Sequence, residues 1–282
     1  AKRHAKALAA AHHDVSPELF EAKFAKRGPF YHVMRLLERI TFKTADVSIA
    51  TNNSFRDIAI RRGGMNPSDV FTVRSAPKTD EFLPAAGNQT YRKGTATLIG
   101  YVGVIGQQEG MDLLVRAADY LVNTIGANVH FLIIGFGPAH CDMIRDVEQQ
   151  ELQDHFTFAG ALYDRDLQDA LNAIDIGVAP DPKNTMNDIS TMNKVMEYMT
   201  LEKPVVQFDL IEGRVSAGDA SLYAQPNDPV DFGLKIQMLM DDTSLRWDMG
   251  WAGRKRVLDQ LSWAHSEPHL LAAYARLFEK SP

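Results

Sequence analysis

The chain has 282 residues, 45% apolar and 23% charged, a balance that supports a buried core and excludes a disordered chain. A net charge of −6 and a pI near 5.8 argue against a general nucleic-acid binder, which carries a basic face. A single cysteine, Cys141, excludes an internal disulfide and fits a reducing compartment. No apolar run approaches the ~20 residues of a bilayer span, and no secretory leader pattern opens the sequence, so a cytoplasmic protein is expected.

The Ala-rich opening, Lys2 to Ala11, lacks the β-branched residues of a strand and is read as a helix or an unreliable start. Ser16-Pro17 opens a helix, with Ser as N-cap and Pro at the first helical position. A second helix runs from Pro29 to Thr44, where Val33, Leu36, Leu37 and Ile40 recur near helical spacing. A strand at 46–50, a helix at 53–62 stopped by Gly63-Gly64 and a strand at 69–73 follow. Residues 75–94 read as a linker.

Beyond the linker the rhythm is regular. Strands are expected at 96–102, 129–134, 156–158, 176–180 and 204–208, with helices between them and two or three more helices from Pro229 to about Lys280. Such alternation means βαβ units and a parallel sheet. Runs such as Phe131-Leu132-Ile133-Ile134 fit strands covered on both faces. Ligands sit at the carboxyl ends of such strands, so the loops after Val102, Ile134, Phe158, Pro180 and Phe208 are expected to line one cleft. Trp247, Trp251 and Trp263 are read as packing residues.

Two glycine turns stand at that end: Gly103-Val-Ile-Gly106 through Gly110, and Gly135-Phe-Gly137-Pro138. Glycines let backbone approach a phosphate, and a helix N-terminus offers free N–H donors; tight turn geometry accounts for them equally well. The richest segment is Asp188 to Met199. Ser190, Thr191 and Asn193 are N-cap types, and the helix they open would hold a diphosphate by its N–H groups and dipole. Lys194 puts a cation in the first turn, the wrong end of the dipole by roughly 0.3–1 kcal/mol, which an anionic ligand would offset. Glu197, three residues on, could accept both hydroxyls of a ribose; a solvated Lys194–Glu197 pair is the plainer reading. His12-His13-Asp14 suggests a His at the cleft, or a surface cap; no ligand set for a metal forms around it.

Taken together and in order, these segments resemble family 4 of the retaining glycosyltransferases (glycosyl transferases group 1), with the two-domain fold called GT-B. The resemblance rests on Ala45-Asp46-Val47 to Thr51, Val73 to Pro84, Tyr101-Val102-Gly103 with Gly110, Leu113-Leu114 and Ala117. It continues through Ile133 to Pro138, Phe158-Ala159-Gly160, Glu197-Tyr198-Met199 with Lys203 to Val206, and Gly253-Arg254 with Ser262-Trp263. It implies an α/β, GT-B-like fold: a complete C-terminal Rossmann-like parallel-sheet domain at 86–282, and the C-terminal part of an incomplete N-terminal Rossmann-like, acceptor-side domain at 1–85, with the last helix packing back on the latter. About the last third of that first domain is expected, from a longer gene product or a fragment, which would leave this chain inactive on its own.

The resemblance implies that Glu197 binds the donor ribose. Backbone N–H groups near Gly103, Gly106 and Gly135, and from Ser190, Thr191, Met192, Asn193 and Lys194, would hold the diphosphate. His13, followed by the acidic Asp14, resembles a residue lining the sugar pocket. The family's basic pair would fall at Val104 and Glu109, and its first Glu at Ile189. Lys194, with Arg214, is therefore expected to replace the missing charge, and Asp188 the missing Glu, as in a bacterial polysaccharide-synthesis subgroup. The implied reaction is metal-independent hexosyl transfer, with retention, from a nucleotide-diphospho-sugar to a glycan or lipid-linked acceptor. No cofactor is implied. A lipid-linked acceptor would put the protein at the inner membrane surface, although no amphipathic anchor stands out in the sequence. The rivals are a non-catalytic nucleotide-binding or scaffolding subunit, favoured by the lost basic pair, and a nucleotide-sugar epimerase.

Overall fold

A computed structural model describes residues 7–24 and 26–280. Part of the Ala-rich opening, residues 1–6, lies outside the described residues. The chain divides into two compact units: Ala1–Ala76 with Asn184–Thr191 and Gln260–Pro282, and Pro77–Lys183 with Met192–Asp259.

The first unit has a three-stranded parallel sheet, β1 (Ala9–His12), β2 (Val47–Ala50) and β3 (Val70–Thr72), in the order β1-β2-β3. Around it stand α1 (Ser16–Phe24), α2 (Pro29–Thr44) and α3 (Asn53–Asp57), the last continuing as a wide turn through Arg62. Asn52 caps α3 by accepting from Phe55 N at 2.7 Å. Phe42, Ala45, Ala59, Met65 and Val70 make one small core; Val15, Ala50 and Phe55 make another. The Arg62 guanidinium ties this unit's helices by donating to Glu18 (Oε2, 3.1 Å) and Glu38 (2.5 Å). The C-terminal helix, which packs on β2 and β3, belongs to this unit.

One expectation is corrected in this unit. Ala9–His12 is a strand, not a helix. Three small alanines have little intrinsic β preference, and the strand is set by pairing with β2, Ala9 opposite Val47 and His12 opposite Ala50. The periodic stripe of α2 does not face a core. Phe30, Val33, Leu36, Leu37 and Ile40 are 48–72% exposed, while Phe42 on the opposite side is buried. Helical spacing says that a helix has an apolar face, but not what covers it.

The second unit has a six-stranded, wholly parallel sheet: β4 (Thr97–Val102), β5 (Val129–Ile134), β6 (Phe156–Gly160), β7 (Ile176–Ala179), β8 (Val205–Phe208) and β9 (Ser221–Ala224). The order is β6-β5-β4-β7-β8-β9. Counted within the unit this is 3-2-1-4-5-6, the doubly wound order whose direction of winding reverses between the first and fourth strands, here β4 and β7. Helices α4 (Met111–Asp119), α5 (His140–Gln149), α6 (Asp164–Ala173), α7 (Asn193–Thr200), α8 (Ile211–Ala217), α9 (Pro229–Asp241) and α10 (Thr243–Arg256) cover it, and α11 (Trp263–Glu279) returns to the first unit. Ile99 and Tyr101, Phe131 and Ile133, Val206 and Phe208 alternate onto one core face against Leu114 of α4 and Phe232 of α9, all within 1% exposure.

Short β9 and α8 escape the periodicity reading, because four and seven residues hold barely one repeat of either pattern. Trp247 and Trp251 on α10 are 69% and 63% exposed and Trp263 is 46% exposed, so these packing candidates lie at the surface and not in the core. Among the described residues no helix is long and apolar enough to cross a membrane.

Candidate donor site at the switch point

All six strands of the second unit run the same way, so the turns after β4, β5, β7 and β8 emerge at one end. Three of them are pressed together. A Cβ on Gly135, whose φ is +134°, would stand 1.8 Å from Gly103 O; one on Gly110, with φ +69°, would stand 2.1 Å from Pro180 O. Only glycine fits either place. The ladder between β4 and β7 is short, Ile99 opposite Ile176 and Gly100 opposite Gly177. Beyond it the two strands part, and the Tyr198 hydroxyl of α7 bridges them: it accepts from Val102 N at 2.9 Å and donates to Val178 O at 3.3 Å. Tyr198 is fully buried, and burial holds its phenol well above the ordinary range, so it stays neutral.

At this gap a buried ion pair stands. Lys194 Nζ lies 2.9 and 2.8 Å from Asp181 Oδ1 and Oδ2, with side chains only 11% and 3% exposed. The same ammonium sits 5.0 Å above the Tyr101 ring, a cation–π distance. Lys194 Cε is 3.6 Å from where a Cβ on Gly103 would stand, so the charge is held beside the first glycine turn. The Tyr101 hydroxyl donates to Val104 O at 2.7 Å, pinning that turn from below. Burial, followed by the carboxylates of Asp181 and Glu109, raises the Tyr101 phenol far above its usual range.

Glu197, one turn further along α7, is partly buried. Burial raises its carboxyl above the usual range, and Lys194 opposes that shift. No hydrogen bond reaches its carboxylate among the described residues, which leaves four lone-pair sites for a ligand.

The expected residues fall into two groups. Gly103, Gly106, Gly135, Met192, Asn193, Lys194 and Glu197 belong to the second unit; His13, Asp188, Ser190 and Thr191 belong to the first. Helix α7 begins at Asn193 with Met192 as N-cap and no side-chain cap bond. Ser190 and Thr191 therefore do not cap it. Ser190 Oγ donates back to Met186 O at 2.7 Å, and Thr191 Oγ1 accepts from Asn52 Nδ2 at 3.1 Å. Residue types favoured at N-caps also close local turns, and the turn takes them here.

Two expected phosphate donors are already used as well. Gly103 N donates to Ile134 O at 3.0 Å and Gly135 N to Gly160 O at 2.8 Å, because the parallel ladders continue past the strand ends. Gly106 has φ −114°, which any residue adopts, and lies at the head of the turn 107–109. The N–H groups of Val104, Asn193 and Lys194 have no backbone acceptor among the described residues. Lys194 does not pair with Glu197 as the plainer reading had it; Asp181 takes it. Arg214 is bound by Asp209 (2.5 and 2.8 Å) and lies 4.2 Å over the Tyr223 ring, so its charge is engaged at the end of β8. His13 is exposed after β1. Its neighbour His12 is half-buried, with Nδ1 3.2 Å from Ser48 Oγ and Nε2 3.4 Å from Phe55 O, and burial lowers its pKa.

Asp181 and Tyr101 were missed by sequence reasoning. Asp181 carries a signal in hindsight: an acidic residue between Pro180 and Pro182, immediately after a strand that ends at the cleft.

The doubly wound parallel sheet is that of a Rossmann-like domain of the GT-B type. The chain belongs to the family Glycosyl transferases group 1, which it matches over residues 96–242, just over half its length. It is 26% identical to the 2-deoxystreptamine glucosyltransferase of Streptomyces kanamyceticus over 185 residues, 65% of this chain and 46% of that protein. It is 23% identical to the alpha-maltose-1-phosphate synthase of Mycolicibacterium smegmatis over 277 residues, 90% of this chain and 69% of that one. Among solved structures, sucrose-phosphate synthase from Thermosynechococcus elongatus superposes with a TM-score of 0.78 at 18% identity, covering 97% of this chain and 68% of that one. TarM from S. aureus, in a complex that includes UDP, gives 0.76 at 16%, covering 95% and 50%. The chain thus spans about half the length of the first two curated relatives, 46% and 56%.

Proposed function

We propose that the second unit is the donor-binding domain of a retaining, metal-independent glycosyltransferase of family 4 type. It would move a hexosyl group from a nucleotide-diphospho-sugar to a glycan or lipid-linked acceptor, in the cytoplasm and in the service of cell-surface polysaccharide synthesis. One observation carries the reading: Lys194 stands beside the glycine turn at Gly103 where β4 and β7 part, with the Glu197 carboxylate next along the same helix. In this reading the Lys194 ammonium and the free N–H groups at the head of α7 face the diphosphate, and the Glu197 carboxylate accepts from the ribose hydroxyls. Negative charge grows on the leaving diphosphate during transfer, so fixed donors and a cation there lower the barrier. The acceptor would be a glycan or lipid carrier, with peripheral membrane contact in the second case. The relatives' activities, glucosyl and kanosaminyl transfer among them, support sugar transfer.

The test separates phosphate from nucleoside. Lys194→Met should weaken nucleoside diphosphate binding by about 10–100-fold, the worth of a charged hydrogen bond at 1.5–3 kcal/mol, and leave the nucleoside unchanged. Equal loss of both, or of neither, would reject the reading.

A second reading has its own observation. Asp181 neutralises the site's cation, which suits a nucleotide-binding subunit without transfer. Released nucleoside diphosphate from a panel of nucleotide sugars decides between them: clear binding without release supports the subunit.

A further inference from the structure

Resting on the donor-site reading above, we infer that Asp181 is a positioning residue for donor binding: it fixes the Lys194 ammonium over Tyr101 and beside Gly103, where the diphosphate would lie. The geometry is that of a two-point mount. Both carboxylate oxygens accept from Nζ, which uses two of the three N–H donors of a lysine. The remaining donor and the charge are left for a ligand.

The mount is stiff. Asp181 stands between Pro180 and Pro182, whose φ angles are locked by their rings, and Pro180 O is pressed against Gly110. The Tyr101 ring forms the floor and is itself tied to Val104 O. A free lysine side chain would sample many rotamers; held here, its ordering cost falls on folding and not on ligand binding. The charge also depends on Asp181. A side chain only 11% exposed and deprived of its counter-ion favours the neutral amine.

The charged and titratable groups facing Lys194 are Asp181 from the turn after β7, Tyr101 from β4 and Glu197 from its own helix; Glu109, after β4, acts on Tyr101. Tyr101 stays neutral, and Asp181 is the carboxylate in hydrogen-bond contact with the ammonium. Neutralising Asp181 therefore removes the partner that holds the cation where the diphosphate would lie.

The experiment is calorimetric titration of the wild type, Asp181→Asn, Asp181→Glu and Lys194→Met with uridine, guanosine and adenosine diphosphates and their nucleosides, at pH 7.5. Folding of each variant is checked by circular dichroism, and the double variant Asp181→Asn/Lys194→Met, which leaves no buried charge of the pair, serves as the stable control. Asp181→Asn should lower diphosphate affinity about tenfold, the loss of one charged contact. Nucleoside affinity should be unchanged, and Asp181→Glu should restore diphosphate affinity. Unchanged or tighter diphosphate binding by Asp181→Asn would overturn the inference, making Asp181 a competitor of the phosphate. Equal loss of nucleoside and diphosphate would overturn it as a merely structural effect. If Lys194→Met itself keeps full diphosphate affinity, the donor-site reading fails instead.

Discussion

The second unit covers both faces of its six-stranded sheet and spends its glycines on pressing three turns together. The first unit has half as many strands and leaves the apolar stripe of α2 in solvent. Both carry clear amphipathic patterns in sequence, yet only in the second does the pattern report where the core is. Apolar side chains gain their stabilisation from removal from water, not from periodicity, so the same spacing has different energetic weight in the two units.

The sharpest way to break that contrast is at the pressed turns. Gly135→Ala sets a methyl 1.8 Å from Gly103 O at a φ of +134°, and should cost about 3 kcal/mol or more through left-handed strain and overpacking, read by urea unfolding. Leu114→Ala, in the closed core of the second unit, should cost about 2–5 kcal/mol. Glu197→Gln should act the other way. Burial raises the Glu197 pKa, so the folded state holds its proton more tightly than the unfolded chain, and the stability tied to that proton is lost as pH rises through the folded pKa. The neutral amide should therefore raise Tm at pH 7, with the gain vanishing below the ordinary glutamate pKa. Leu36→Ala on α2 should change stability by less than about 0.5 kcal/mol, as exposed positions do. A cost there as large as that of Leu114→Ala would mean that the stripe is covered in solution and that the contrast is false.

Much of the fold was legible. The runs at 97–102 and 129–134 are continuous and apolar because both faces of the strand are buried, and that signal survives without any knowledge of partners. Boundaries of the helices at 16 and 29 follow from Pro at their heads. What was not legible is pairing. Nothing local says that Lys194 meets Asp181, 13 residues earlier, or that the Gly103 N–H is consumed by Ile134. Ser190 and Thr191 look like caps because caps and turns draw on the same short polar side chains. Ala9 to His12 is a strand only through its neighbour.

The central claim, a ribose clasped at Glu197 where β4 and β7 part, is tested most directly by one titration. Wild type and Glu197→Gln are each titrated with a nucleoside diphosphate and with its 2′,3′-dideoxy form. The account predicts that wild type prefers the hydroxylated ligand by about tenfold or more, the worth of charged hydrogen bonds, and that the variant binds both alike. Equal binding of the two ligands by the wild type, or a preference that survives in Glu197→Gln, would contradict it.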